Sequence, residues 1–151
     1  DKNISRESSL ALLEEIVFSG KIEFDPSKND FPVTLHDPCN IVRNLGIVEP
    51  QRRILRYLCP QFREMTPHGI DNYCCGGGGG FLQSGYNAER RDYGRLKLDQ
   101  ILATGAKLVI APCHNCHSGR EDIIHHVGVG QEIKFIGDII YEVMEKPESV
   151  L

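Results

Sequence analysis

Hydrophobic positions near the start of the chain recur at helical spacing. Leu10, Leu13, Ile16 and Val17 fall three and four apart within ESSLALLEEIVFS, and Gly20 supplies a stop, so an amphipathic helix is predicted over residues 7–19. KIEFDPSKNDFP is polar, broken by prolines, and predicts a connector. VTLHDPC then reads as a short strand, because the residue before Pro38 is pushed out of helical space. A second helix starts at Pro50 and runs through QRRILRYL, with Ile54, Leu55 and Leu58 as its inward stripe. FREMTP predicts a weak second strand. Residues 71–80, DNYCCGGGGG, carry five consecutive glycines and predict a loop. A long helix is expected over 86–104, with Leu96, Ile101 and Leu102 inward and Gly105 as its end. KLVIAP is the clearest strand, β-branched and stopped by Pro112, and Cys113 and Cys116 open the helix after it. Residues 132–136 predict a last strand and GDIIYEVM a last helix. This alternation implies an α/β fold, an open and mainly parallel four-stranded sheet flanked by helices. Residues 1–30 would form an N-terminal helix and connector, and residues 31–151 the sheet-bearing domain.

Composition narrows the function classes. With 151 residues, 40% hydrophobic and 25% charged, the chain is one ordinary globular domain. A domain of this size buries roughly two-thirds of the surface its unfolded chain exposes, so the cysteines are not needed to rescue folding. Seventeen Lys and Arg against 21 Asp and Glu give a net charge of −4, which leaves no basic excess for nucleic acid or an anionic lipid surface. The longest apolar segment is broken by Glu14 and Glu15, so no membrane span is expected. The chain does not begin with Met and lacks a signal sequence, and it reads as an excised or processed piece of a longer protein.

The candidate chemistry lies in the cysteines: Cys39, Cys59, Cys74, Cys75, Cys113 and Cys116. A trans peptide sets the α-carbons of adjacent Cys74 and Cys75 about 3.8 Å apart, short of the roughly 4.4–6.8 Å that a relaxed disulfide spans. A vicinal pair plus Cys-x-x-Cys suits metal or redox chemistry in a reducing compartment, and no structural disulfide is expected. In a parallel sheet, ligands gather beyond the carboxyl ends of the strands. Cys39 follows the first strand, Cys74 and Cys75 the second, and Cys113 and Cys116 the third, so five thiols are expected along one edge. Cys113 and Cys116 share a face of the first helical turn, where backbone N–H groups favour thiolate. Cys59, beside Pro60 and without partner spacing, is expected to be a structural or surface thiol.

Other readings compete. Buried cysteines also behave as small hydrophobes, which would explain Cys-x-x-Cys alone. The glycine run resembles a phosphate loop but lacks the following Gly-Lys-Ser/Thr. A structural zinc site could use four of the same cysteines, and a thiol–disulfide exchanger could use Cys113 and Cys116 alone. His36, His114 and His117 lie near the cysteines in sequence, where an imidazole titrates near neutrality or serves as a hydrogen-bonded support, the simpler reading. His68, His125 and His126 read as surface residues. Arg52, Arg53, Arg56 and Arg63 form a basic run, most simply a solvated helix face and otherwise a dock for an acidic partner.

The spacing Cys39, thirty-four residues, Cys74-Cys75-Gly76, thirty-seven residues, Cys113-x-x-Cys116, with HDPC, CCGGGGG and APCHNC around it, resembles the cysteine-rich CCG domain of heterodisulfide reductase subunits and related iron–sulfur oxidoreductases. The resemblance covers about residues 5–145. It implies an iron–sulfur cluster held by Cys39, Cys74, Cys75, Cys113 and Cys116, of the noncubane [4Fe–4S] form in the best understood members. Backbone N–H groups of Gly76, Gly77 and Gly78 would approach its sulfurs. It further implies electron transfer, with thiol or disulfide reduction, inside an anaerobic respiratory complex of several subunits, cytoplasmic and peripheral to the inner membrane through its partners. Many relatives carry His directly after the first cysteine; here that position is Asn40, so proton transfer would come from elsewhere or not occur.

Overall fold

A computed structural model describes residues 7–145. Helix α1 (Ser9–Phe18) is capped by the Ser8 hydroxyl, which accepts from Leu10 N. Strand β1 (Val33–Leu35) is followed by α2 (Pro50–Leu58) and the two-residue β2 (Phe62–Arg63). Then come α3 (Asn87–Thr104), β3 (Leu108–Ile110), α4 (His114–Val127), β4 (Glu132–Lys134) and α5 (Ile136–Val143). All four strands are parallel, in the order β2-β1-β3-β4, with Leu35 opposite Ile110 and Ile110 opposite Lys134. The expected α/β architecture, with a parallel sheet flanked by helices, is the observed one.

Strand alternation divides the core in two. Val33, Leu35, Leu108 and Ile110 pack with α1, α2 and α5 through Leu10, Val17, Ile54, Leu55, Leu58, Ile139 and Val143. Cys59 is buried in this same cluster. On the other face Val109 meets Met65 and Ile101, while Leu98, Ile123 and Ile124 join α3 to α4. The first face is a continuous apolar core; the second is small and interrupted by buried polar side chains.

Several expectations need correction. The first strand ends at Leu35, short of the Asp37–Pro38 step expected to close it: His36 N makes a last bond to Ile110 O, after which Asp37 turns away to bind Arg52 and Pro38 offers no donor. Leu96 and Leu102 face solvent instead of the core, at 63% and 38% exposure, because α3 buries Arg90, Gly94, Lys97, Leu98, Gln100 and Ile101. Ile16 is also exposed. Of the arginine run, Arg53, Arg56 and Arg63 are exposed as a solvated face should be, and Arg52 is the exception. Arg52 is 1% exposed and grips Asp37 through two bonds of 2.8 and 2.5 Å, with Nε on Glu64 at 3.0 Å. Arg53 pairs with Glu14, Arg56 with Glu49 and Glu64, and Arg63 donates to Thr104 O at 2.8 Å.

Candidate metal centre

Three segments from the carboxyl ends of β1, β2 and β3 meet over the small face of the sheet. From β1 comes His36, 1% exposed, followed by Asp37, whose Oδ2 also accepts from Gly69 N at 2.6 Å. Arg52 and Gly69 thereby clamp the turn that leads to Cys39. Cys39 is half-buried at the head of a π-type turn over Asn40–Asn44, in which Asn44 Nδ2 donates to Asn40 Oδ1 at 2.7 Å.

The second segment is the glycine loop. Gly76 N and Gly77 N approach Cys74 Sγ and Cys75 Sγ, each at 3.3 Å. A Cβ on Gly77 would stand 2.7 Å from the carbonyl oxygen of Asn115, so only glycine lets the loop lie against α4. Gly78 is exposed and has open space around it.

The third segment is the start of α4. Cys113 is its N-cap, and Cys116, one turn on, is 3% exposed. Cys75, Cys116 and Ala111 form a buried cluster with Cys113 packed against it. Hydrogen bonding to Cys75 raises the Cys74 thiol above the ordinary range, and hydrogen bonding to Cys116 raises Cys75 against the opposing effect of Cys74, with burial adding to both. Four of the five expected sulfurs are thus gathered, while Cys39 is not in this group. All six cysteines are free thiols.

A feature beyond the cysteine pattern is the polar wall around them. A ligand nitrogen of His36 and the sulfurs of Cys75 and Cys116 lie within 4.8 Å of one another, all buried. Burial, reinforced by the charges of Lys97 and Arg120, pushes His36 well below the ordinary imidazole range, so it does not titrate near neutrality. Arg120, fully buried, donates to Gly94 O at 2.8 Å and to Cys75 O, and forms no ion pair among the described residues. Lys97, 1% exposed, has Met65 Sδ at 3.7 Å as its hydrogen-bond partner, and burial lowers it to about 8. Gly94, Lys97, Leu98 and Ile101 recur at 0, 3, 4 and 7, so helical spacing could have placed Lys97 on the buried face. His114 and His117 stack parallel to Phe135, with His117 closer at 4.3 Å between ring centroids. His68, His125 and His126 are exposed, as expected. Cys59, pushed by burial to about 12, lies in the opposite core.

The donor set fits a thiolate-bound metal. Two sulfurs about 2.3 Å from one tetrahedral ion sit about 3.8 Å apart, so donors already within 4.8 Å need only a small contraction. Two buried cations without carboxylate partners match the negative charge that bound thiolates carry.

Fold and site together define an α/β domain with a thiol-rich cluster suited to a metal at the carboxyl ends of its strands. The chain belongs to the CCG cysteine-rich domain family, whose model matches residues 33–119. It is 41% identical over 76 residues to an Hdr-like menaquinol oxidoreductase iron–sulfur subunit of Archaeoglobus profundus, covering 48% of this chain and 14% of that protein. It is 31% identical over 105 residues to a dihydromethanophenazine:CoB–CoM heterodisulfide reductase subunit of Methanosarcina acetivorans, covering 69% and 25%. With a fumarate reductase (CoM/CoB) subunit of Methanothermobacter marburgensis it shares 33% over 99 residues, covering 65% and 19%. The matched region is thus a quarter or less of each of these relatives. No solved structure matches the chain significantly. No helix among the described residues is long and apolar enough to cross a membrane.

Proposed function

We propose that this domain holds an iron–sulfur cluster and serves electron transfer, with thiol or disulfide reduction, in a heterodisulfide-reductase-like oxidoreductase. The observation that carries this reading is the convergence of Cys74, Cys75, Cys113 and Cys116 beneath the glycine loop, beside two buried cations. Relatives in three archaeal redox enzymes support it. The ligands are Cys39, Cys74, Cys75, Cys113 and Cys116, with Cys39 brought in by its turn. The N–H groups of Gly76 and Gly77 are placed to stabilise sulfur charge, and Gly78 completes the loop. When bound, a [4Fe–4S] cluster, noncubane in this reading, supplies a one-electron site whose potential depends on burial and hydrogen bonds to sulfur. The chain's own residues exclude water around Cys75 and Cys116 and fix the charge facing them, through Lys97 and Arg120. The partners are other subunits of a redox complex, cytoplasmic and peripheral to the inner membrane, and a thiol/disulfide couple whose disulfide takes two electrons and two protons, supplied through the complex, to give two thiols.

A structural zinc site is the second reading, favoured by the mixed nitrogen–sulfur set of His36, Cys75 and Cys116. Anaerobic reconstitution with iron, sulfide and zinc counted per chain decides between them. The cluster reading expects about four irons per chain, lost in Cys75→Ser and kept in Cys59→Ser. Zinc alone, or equal iron loss in both variants, overturns it.

A further inference from the structure

Gln51, Asn72, Arg90, Gln100 and Arg120 each leave a buried polar atom unpartnered but keep another side-chain hydrogen bond, whereas His36, among the described buried polar residues, has none at all. Buried side-chain polar atoms nearly always have a hydrogen-bond partner, because an unsatisfied one forfeits its hydration without return. His36 is 1% exposed, and neither Nδ1 nor Nε2 has a partner. Its backbone is held firmly, with N–H on Ile110 O at 2.8 Å and the next residue locked between Arg52 and Gly69. The ring is therefore placed by the sheet rather than left over by a mobile loop. What it meets is not an apolar pocket but two buried sulfurs within 4.8 Å. Asn29 and Asn72, also buried, each use their amide N–H on a backbone carbonyl, at 3.2 and 2.7 Å. His36 has been given no such bond to the protein through either nitrogen.

We infer that His36 is a metal ligand, donating one ring nitrogen to the same centre as Cys75 and Cys116. This rests on the reading that the site holds a metal, and adds a nitrogen donor to the five cysteines. A neutral imidazole lone pair is a normal donor to iron and to zinc. A nitrogen about 2.0–2.1 Å and sulfurs about 2.3 Å from one ion bring the three atoms closer together than 4.8 Å, a contraction a side-chain rotation can supply. Metal-bound imidazoles ordinarily donate their other N–H, and that nitrogen has no acceptor among the described residues, so the rotation that brings one nitrogen to the metal must also bring the other to an acceptor.

The test uses reconstituted full chain labelled with 15N-histidine, compared with unlabelled protein by pulsed electron paramagnetic resonance in the paramagnetic state of the centre. The expected result is a strong hyperfine coupling to one histidine nitrogen that changes with the isotope and vanishes in His36→Asn. It persists in His125→Asn, an exposed control. His36→Asn should also weaken metal affinity more than about tenfold. If that variant does not fold, the isotope comparison on the native sequence still decides, with His114→Asn and His117→Asn excluding the neighbouring rings. If zinc loads instead, X-ray absorption at the zinc edge should show a mixed nitrogen–sulfur shell that loses its nitrogen in His36→Asn. Iron that loads with no strong histidine coupling, zinc in an all-sulfur shell, or a coupling that survives His36→Asn overturns the inference and leaves the cluster or zinc reading standing. Failure of the native chain to load any metal overturns both.

Discussion

Replacing Arg52 by methionine removes a cation from a site with almost no access to water. Arg52 and Asp37 are each 1% exposed, and two charge-assisted bonds of 2.8 and 2.5 Å join them. In Arg52→Met the Asp37 carboxylate keeps one donor, Gly69 N at 2.6 Å, and loses both guanidinium bonds. Glu64, 23% exposed, can turn to solvent or to Arg56. Breaking a buried pair from one side costs about 3–5 kcal/mol, a large part of the roughly 5–15 kcal/mol that holds a domain together. At about 2–4 °C per kcal/mol for a chain of this length, the thermal midpoint should fall by roughly 6–20 °C. Arg53→Met is the internal control: Arg53 sits one residue on, half exposed and paired with Glu14, and its loss should leave the midpoint nearly unchanged. The double change Arg52→Met with Asp37→Leu removes both charges and should recover most of the loss, short of the native value because Gly69 N–H is left without its acceptor. Far-ultraviolet circular dichroism of metal-free, reduced protein measures all four chains. Equal shifts for Arg52→Met and Arg53→Met would refute the buried clamp and restore the picture of a solvated arginine face.

Four further outcomes are expected. Gly77→Ala pushes a Cβ to 2.7 Å from the Asn115 carbonyl, so either the loop or the start of α4 must move; overpacking of this kind costs about 1–3 kcal/mol, and metal loading should drop while Gly78→Ala, in open space, loads normally. Cys59, raised to about 12 by burial, should resist alkylation in the native metal-free chain and react on unfolding. Its raised native value sets the sign of the pH effect: the stability tied to the neutral thiol is full below the unfolded value of about 8.5 and is lost as pH climbs from there toward 12, which urea titrations of native protein and Cys59→Ala would show as a shallower alkaline decline in the variant. Removing the metal should leave most helical dichroism, and hydrogen exchange should quicken in α3, α4 and the glycine loop before α1, α2 and α5; collapse of all helices together would make the metal a nucleus for the whole fold.

The parts of the fold legible in the sequence are those governed by one interaction at a time. Ile54, Leu55 and Leu58 follow helical spacing and are buried, and Val109 and Ile110 in a β-branched run are buried as a central strand should be. The cysteine edge was legible because parallel topology sends every strand's carboxyl end to one side. What escaped was polar burial. Arg52 looks like Arg53 in sequence, and only the approach of Asp37 from the end of β1, fifteen residues away in the chain, separates a core cation from a surface one. Likewise α3 turns Arg90, Lys97 and Gln100 inward beside Leu98 and Ile101 and leaves Leu96 and Leu102 outside, a mixed face that an apolar stripe does not predict. A helix that lines a charged site obeys the site rather than the solvent.

That mixed helix face explains why the two faces of the sheet differ. The face covered by α1, α2 and α5 has fourteen buried residues in one cluster, and none of the proposed ligands belongs to it. The opposite face divides its apolar contacts among three clusters of three buried residues each, one of which is itself Cys75, Ala111 and Cys116. Between those clusters lie Lys97, Arg120 and His36, groups whose burial is unfavourable unless something answers their charge or lone pairs. Within the protein, Asp37 is already taken by Arg52 and Gly69, and Asp122 by Arg90 and Arg91, so no carboxylate pairs with Lys97 or Arg120 among the described residues. On the proposed function, sulfur that becomes thiolate on binding a metal would supply the missing anion, and the metal the missing partner for imidazole. One face can therefore fold on hydrophobic burial alone, and the other, on that reading, is completed by its ligand, which would place the α3–α4 layer at the low-stability end of the metal-free molecule.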